Sequence, residues 1–386
     1  MMQINKIIRF AAIIFLIALI SCVKEFEPNL DETTTQKVVV SGRLTDMEAY
    51  QKVDVSVTSS LSNPKRNPLE HCKVVLHNSD GKTWKYNEVG NGIYQIWMNK
   101  NEIDLTKEYH IEVVTPDHQN LVSSSESFIG NPSVDSIYYA KDEYKNTFNG
   151  QLYKGLQFFM DLKASENNSH YYLIDVVETS EYHTIMPIEW WFDGQLHQEV
   201  PPDYSKSLCW NTQPIKDIYV LTTANLSTNN YIGFKLNFTD NHSQRLEHLY
   251  SINVLQYSIS KQAYNYWNQM RINLHQTGGL YNNQPFAIKG NMKNNSNPSN
   301  EVLGYFMVSR LKEKRIFIPP QGFDIIDNMC GKPAELRFGL RDISPIMYPA
   351  YLVTSSTGGY SNLLYDKACV NCTSDGGTTV KPSFWP

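Results

Sequence analysis

From Lys37 onward, apolar and polar side chains alternate at period two in short runs separated by turns. Val38 to Leu44 reads as a strand ending near Asp46, and Val53, Val55 and Val57 alternate with polar neighbours as a second, half-buried strand. Asn63 to Pro68 is a proline-bounded loop, and Lys73 to His77 is a third strand. Ser79-Asp80-Gly81-Lys82 is a hairpin turn leading into Thr83 to Tyr86. Gly90-Asn91-Gly92 turns the chain into Ile93 to Met98. Tyr109, Ile111 and Val113 alternate again, and Leu121 to Phe128 closes the series. Short strands at regular spacing with turn signals predict an antiparallel β-sandwich over residues 37–130.

Gly130-Asn131-Pro132 reads as a domain boundary, with a second β-rich domain over residues 131–386. Its strand candidates are Val134 to Ala140, Leu156 to Leu162, Tyr171 to Val177, Ile218 to Thr222, Tyr231 to Phe238 and Tyr250 to Ile259. Trp190-Trp191-Phe192 is an aromatic strand entering the turn Asp193-Gly194. One helix is predicted near residues 260–276. Ser260 is its N-cap, Ala263, Trp267, Met270 and Leu274 make an apolar stripe, and Gly278-Gly279 stops it. Ala287 to Met292, Leu303 to Leu311 and Arg315 to Ile318 resume strands. The expected class is mainly β. The sandwich, with its Gly-x-Tyr and Tyr-x-Ile runs, looks like the transthyretin or carboxypeptidase-regulatory type, which usually binds or spaces.

The first 36 residues break this pattern. Lys6 and Arg9 precede an uncharged apolar run, Phe10 to Ile20, which is too short to span hydrocarbon and reads as an export signal over residues 1–21. Leu19-Ile20-Ser21-Cys22 resembles the lipobox of bacterial lipoproteins, which implies acylation of the Cys22 thiol and anchoring in the outer membrane. Lys24, Glu25 and Glu27 resemble a surface-export signal of Bacteroidota lipoproteins, so the expected orientation is outward. Residues 22–36 hold too little apolar content to pack and read as a flexible tether.

Composition narrows the partners. Without the leader, 32 basic face 39 acidic residues, and no basic block stands out. Phosphate neutralisation needs clustered Lys and Arg, so nucleic acid is not an expected partner. Lipidation of Cys22 leaves five cysteines, and an exported setting favours disulfides. Cys72 lies in the alternating run with Val74 and Leu76 and reads as a buried free thiol. Cys209, Cys330, Cys369 and Cys372 then allow three pairings. Cys369-x-x-Cys372 has zinc-ligand spacing, but neither a second pair nor two histidines accompany it. No metal site or cofactor is expected.

Gly290-Asn291 with Val302-Leu303-Gly304-Tyr305-Phe306, the sandwich, and the tail Cys369-x-x-Cys372, Gly376-Gly377-Thr378, Lys381-Pro382 and Phe384-Trp385 carry a more specific signal. Together they resemble an uncharacterised family of Bacteroidota lipoproteins, domain of unknown function 4249, from about Lys37 to Trp385. The resemblance implies an outer-membrane lipoprotein, often beside a TonB-dependent transporter of the starch-utilisation type. It carries no catalytic residues.

Enzyme motifs largely fail. Gly81-Lys82-Thr83 ends like a phosphate loop, but Leu76 occupies the first glycine's place. Ser258-Ile259-Ser260-Lys261 matches Ser-x-x-Lys without its Lys-Thr-Gly companion, and capping accounts for Ser260. His71, His77, His242 and His248 have no carboxylate partner at ligand spacing. Trp190 and Trp191 are candidate ligand or partner contacts, although on a strand they face opposite ways, so one side at least is core. The sequence therefore reads as a non-enzymatic surface lipoprotein and accessory subunit of a TonB-dependent β-barrel transporter. A stand-alone binder of a glycan or peptide nutrient is the alternative, and a surface hydrolase with an unrecognised site the third reading.

Overall fold

Val40, Leu44, Val53 and Val55 are all fully buried. They share one face because β1 (Val38–Thr45) and β2 (Ala49–Val57) pair antiparallel with Val40 opposite Val55. The computed structural model describes residues 36–60, 64–146, 150–275, 288–327 and 330–386. Residues 37–58 and 66–386 fall in one compact unit. Cys22, Lys24, Glu25, Glu27 and the helix stop Gly278-Gly279 lie outside the described residues.

After β3 (Asn67–Pro68) come β4 (Lys73–Asn78), β5 (Thr83–Lys85), β6 (Asn87–Gly90), β7 (Ile93–Met98), β8 (Glu108–Val114), β9 (Asn120–Ser123) and β10 (Glu126–Ser127). β1, β2, β7 and β6 lie side by side in one sheet, and β9, β8, β4 and β5 in another. Leu44, Val53, Leu76, Tyr94, Tyr109 and Ile111 belong to their shared core. The predicted strand Leu121 to Phe128 is split into β9 and β10. Cys72 is the free cysteine among the described residues and is buried there, with its backbone N–H donated to the Tyr94 hydroxyl at 2.9 Å.

β11 (Val134–Lys145) and β12 (Leu152–Lys163) form a long hairpin, and β13 (Tyr171–His183) follows. β14 (Ile188–Phe192) and β15 (Leu196–Asp203) make a second hairpin. β16 (Leu208–Pro214) and β17 (Tyr219–Thr222) then pair with opposite ends of β13. β18 (Asn230–Asp240) joins β12, and β19 (Tyr250–Ser258) pairs with β13 throughout its length. Helix α1 (Lys261–His275) starts where Ser260 Oγ accepts the Ala263 N–H at 3.1 Å, the expected cap. Its packed face differs from the expected stripe: Ala263 is buried and Tyr264, Tyr266 and Trp267 pack beside it, whereas Leu274 is 48% exposed. Ser258, on the strand, is fully buried and Lys261 is exposed, so the Ser-x-x-Lys residues do not converge.

After β20 (Met292–Asn294), β21 (Phe306–Ile318) is one continuous strand where two were expected. It pairs antiparallel with β19 and parallel with β1, placing Gly42 beside Phe306. A sandwich edge that would otherwise present unpaired backbone groups is covered in this way. β20 pairs with β9 in the other sheet. The boundary expected at Gly130 is therefore crossed twice by later chain. The Gly290-Asn291 and Gly304-Tyr305-Phe306 segments meet here. Asn291 exchanges two 2.8 Å hydrogen bonds with the Phe306 backbone. Gly304 has φ of +98°, and a Cβ on it would sit 2.0 Å from the Val40 carbonyl oxygen.

β22 (Ala334–Glu335), β23 (Ala350–Thr354) and β24 (Tyr360–Leu364) complete a five-stranded sheet with β14 and β15. The sequence reading has no strand after Ile318. These late strands are short and carry polar residues such as Ser361 and Asn362, so their alternation is weak.

Candidate functional site

Cys369 and Cys372 occupy successive single turns of 3-10 helix, Lys367–Cys369 and Cys372–Asp375. Asp366 caps the first by accepting the Ala368 N–H at 3.2 Å, and Asn371 the second by accepting the Thr373 N–H at 3.1 Å. The turns send the two sulfurs apart. Cys369 bridges to Cys330, and Cys372 to Cys209, so the Cys-x-x-Cys spacing serves two disulfides rather than one chelate.

The Cys209–Cys372 bridge clamps the C-terminal tail onto β16. Trp210 and Thr378 exchange backbone hydrogen bonds at 2.9 and 3.0 Å. Gly377 is required by this approach, since a Cβ would lie 2.7 Å from the Cys372 carbonyl oxygen and 2.9 Å from Cys209 Cβ. Further on, Arg315 stacks on Phe384 at 3.6 Å, and Trp385 meets Phe317 edge-on. The Trp385 indole N–H donates to Glu181 Oε2 at 3.0 Å.

Between the end of β13, β16, residues 243–245 and this tail lies a cavity of about 220 Å³. Ser180, Tyr182, Asn211, Gln213, Arg245 and Asp375 are among its lining residues. Behind it, Glu178 is 2% exposed. Its carboxylate accepts from Tyr250 Oη at 2.6 Å, Gln213 Nε2 at 2.7 Å and Arg245 Nη1 at 3.1 Å. A buried carboxylate needs such donors, because its desolvation is costly. Burial alone would lower the Arg245 pKa, but Glu178 carries it above its ordinary value. Burial, reinforced by the Glu178 charge, pushes the Tyr250 phenol well up, and burial with Asp375 and Glu247 pushes Tyr182 up to about 12. Chemically, the cavity offers amides, hydroxyls, the carboxylates of Glu181 and Asp375 and one compensated cation, a set able to hydrogen-bond a small ligand.

Glu181 lines the cavity's edge, His183 stands two residues further along β13, and His248 lies two residues before the start of β19. His183 Nε2 is 2.8 Å from Glu181 Oε1, and the His183 and His248 rings stack at 3.9 Å with an 18° tilt. Burial, then repulsion from His183, lowers the His248 pKa. The sequence reading missed this grouping and left four histidines without acidic partners. In the fold His71, His77 and His242 lie 3.6, 3.1 and 3.9 Å from Glu88, Glu112 and Asp327. The available signal was Glu181-x-His183 in a strand, which puts both on one face.

Trp190 and Trp191 do take opposite faces, and both faces are packed. Trp190 and Phe192 lie against Leu336, Ala350 and Leu352. Trp191 lies against Ile188, Tyr351 and Val370, stacks on His197 at 3.9 Å and donates to Glu199 Oε1 at 2.8 Å. Trp191 also lines a second cavity of about 150 Å³ with Glu199, Asp203, Lys206 and Tyr351. The candidate contact is thus not a bare aromatic platform.

These features define a mainly β protein whose C-terminal tail is stapled beside a cavity lined by polar residues. The chain belongs to the family described as a domain of unknown function (DUF4249), whose family model matches residues 23–315. That match ends before the tail. No curated protein matches the chain.

Proposed function

We propose that this chain is a non-enzymatic, lipid-anchored lipoprotein on the outer face of the outer membrane, serving as a binding or accessory subunit of a TonB-dependent transporter. The cavity beside the Cys209–Cys372 bridge, lined by residues such as Asn211, Gln213, Arg245 and Asp375, carries the reading. Disulfides belong to exported proteins, and a bridge holding one cavity wall pre-organises the site for a small polar ligand. The lipobox-like Leu19-Ile20-Ser21-Cys22 and the acidic residues after it supply the anchor and outward address. Affinity purification of the full chain from membranes in mild detergent tests the partnership. Co-recovery of an outer-membrane β-barrel protein is expected, and recovery of the chain alone would overturn it.

A stand-alone glycan-binding lipoprotein is the second reading, supported by Trp191 at the 150 Å³ cavity with Glu199, Asp203 and Lys206. It requires glycan-array binding that Trp191→Ala abolishes; a blank array sinks it.

A further inference from the structure

Among the described residues, Glu181, His183 and His248 are the one trio whose ligand atoms all lie within 4.8 Å of one another. We propose that they form a binding site for a divalent transition-metal ion of the zinc type, held by two imidazoles and one carboxylate. The inference goes beyond the accessory-subunit reading and requires neither the lipid anchor nor a transporter.

Two nitrogens and one oxygen are a ligand set that zinc accepts, and three protein ligands leave its fourth position to water or an added donor. Hard cations such as calcium prefer all-oxygen sets, so the imidazoles select against them. The backbone fixes two of the three ligands on one face. Glu181 pairs with Trp210 of β16 on one side, and its N–H donates to the Leu249 carbonyl at 3.0 Å on the other. That second bond also sets the segment carrying His248.

An outer layer is already in place. Trp385 is 6% exposed, and its N–H holds Glu181 Oε2 at 3.0 Å, leaving Oε1 to face His183 at 2.8 Å. Ligating carboxylates are commonly held by such a bond. Metal entry would exchange the His183–Glu181 hydrogen bond for two bonds to the ion. One imidazole must turn, since stacked rings do not aim both nitrogens at a common point. The His183 side chain is 44% exposed, against 20% for Glu181, which leaves room for that rotation and a path for the ion. Asp375 lines the same cavity as Glu181 and Glu247 adjoins His248 in the chain, and both negative charges favour a cation.

The test uses the full chain in detergent, without a polyhistidine tag, titrated with Zn²⁺ by calorimetry and with Ca²⁺ for comparison. About one Zn²⁺ per chain is expected to bind saturably, and Ca²⁺ not to compete. His183→Ala and His248→Ala should each weaken binding by about tenfold or more, and the double variant should lose it. Glu181→Gln keeps the side-chain volume and an oxygen for Trp385, yet should weaken binding similarly. Trp385→Phe, which removes only the N–H from the outer layer, should cost about tenfold. His77→Ala, at the other acid-paired histidine stack, and Cys72→Ser should leave binding unchanged. Far-UV circular dichroism and intact disulfides would verify folding of each variant. Absence of saturable Zn²⁺ binding, or a folded double variant that binds as tightly as the unaltered chain, would overturn the proposal.

Discussion

Glu126 is 6% exposed, and Tyr305, itself 2% exposed, donates its hydroxyl to Glu126 Oε1 at 2.5 Å. Burial raises the Glu126 pKa, while Tyr305, Ser260 and Asn291 pull it back by favouring the charged form. The ionised carboxyl is thus the costly state, stabilised by a few donors. Tyr305→Phe is expected to destabilise the fold by about 1–3 kcal/mol at pH 7, measured by urea denaturation. Adding Glu126→Gln should recover much of that loss, because a neutral amide suffers less from burial; a double-mutant cycle with no coupling would contradict this account. Tyr305 stood out in the sequence as part of Gly-Tyr-Phe, but nothing local indicated its acidic partner 179 residues away. By contrast, the Ser260 cap was legible, because capping chemistry is settled within one turn.

At the scale of elements, the hairpins of the sandwich were readable because turn and alternation lie within a few residues of each other. The single span of β21 was not, because Lys312, Glu313 and Lys314 interrupt its apolar pattern. It runs on because β19 pairs with it from Ile318 to Arg310. The tail is an element of another kind, held by bridges of very different loop length. Cys209–Cys372 spans 163 residues and Cys330–Cys369 spans 39. Loop-closure entropy grows as the logarithm of length, so the longer bridge should contribute about 1 kcal/mol more. Cys209→Ser with Cys372→Ser should therefore lower stability more than Cys330→Ser with Cys369→Ser, each within about 2–5 kcal/mol. Limited proteolysis should also cut the tail more readily in the first variant. Equal denaturation midpoints and equal cleavage would count against the clamp.

For the whole molecule, the proposed placement rests on one atom, the Cys22 sulfur. Cys22→Ser is expected to leave the protein unacylated and to move it from the detergent-extracted membrane fraction to the soluble fraction. Retention in the membrane after that change would reject lipid anchoring there. No helix among the described residues is long and apolar enough to cross a membrane.

Period two and turn chemistry, read from the sequence alone, determined a mainly β chain, and with Cys22 set aside for the proposed acylation the cysteine count pointed to a free thiol at Cys72 and four cysteines left to pair. Period two and turn chemistry are properties of neighbours along the backbone and the cysteine count is a matter of composition, so no fold is needed to see them. Only the tertiary structure decided that Cys369 and Cys372 part to different partners, that β21 closes the sandwich edge, and that Trp385 reaches back to Glu181. Each of these joins residues far apart in the chain, and long-range contacts have no periodic trace in one sequence. For the same reason the approach of His248 to Glu181 and His183 is absent from the linear pattern, where only Glu181-x-His183 is local. It arises where β13 and β19 lie side by side, within reach of the tail's last tryptophan.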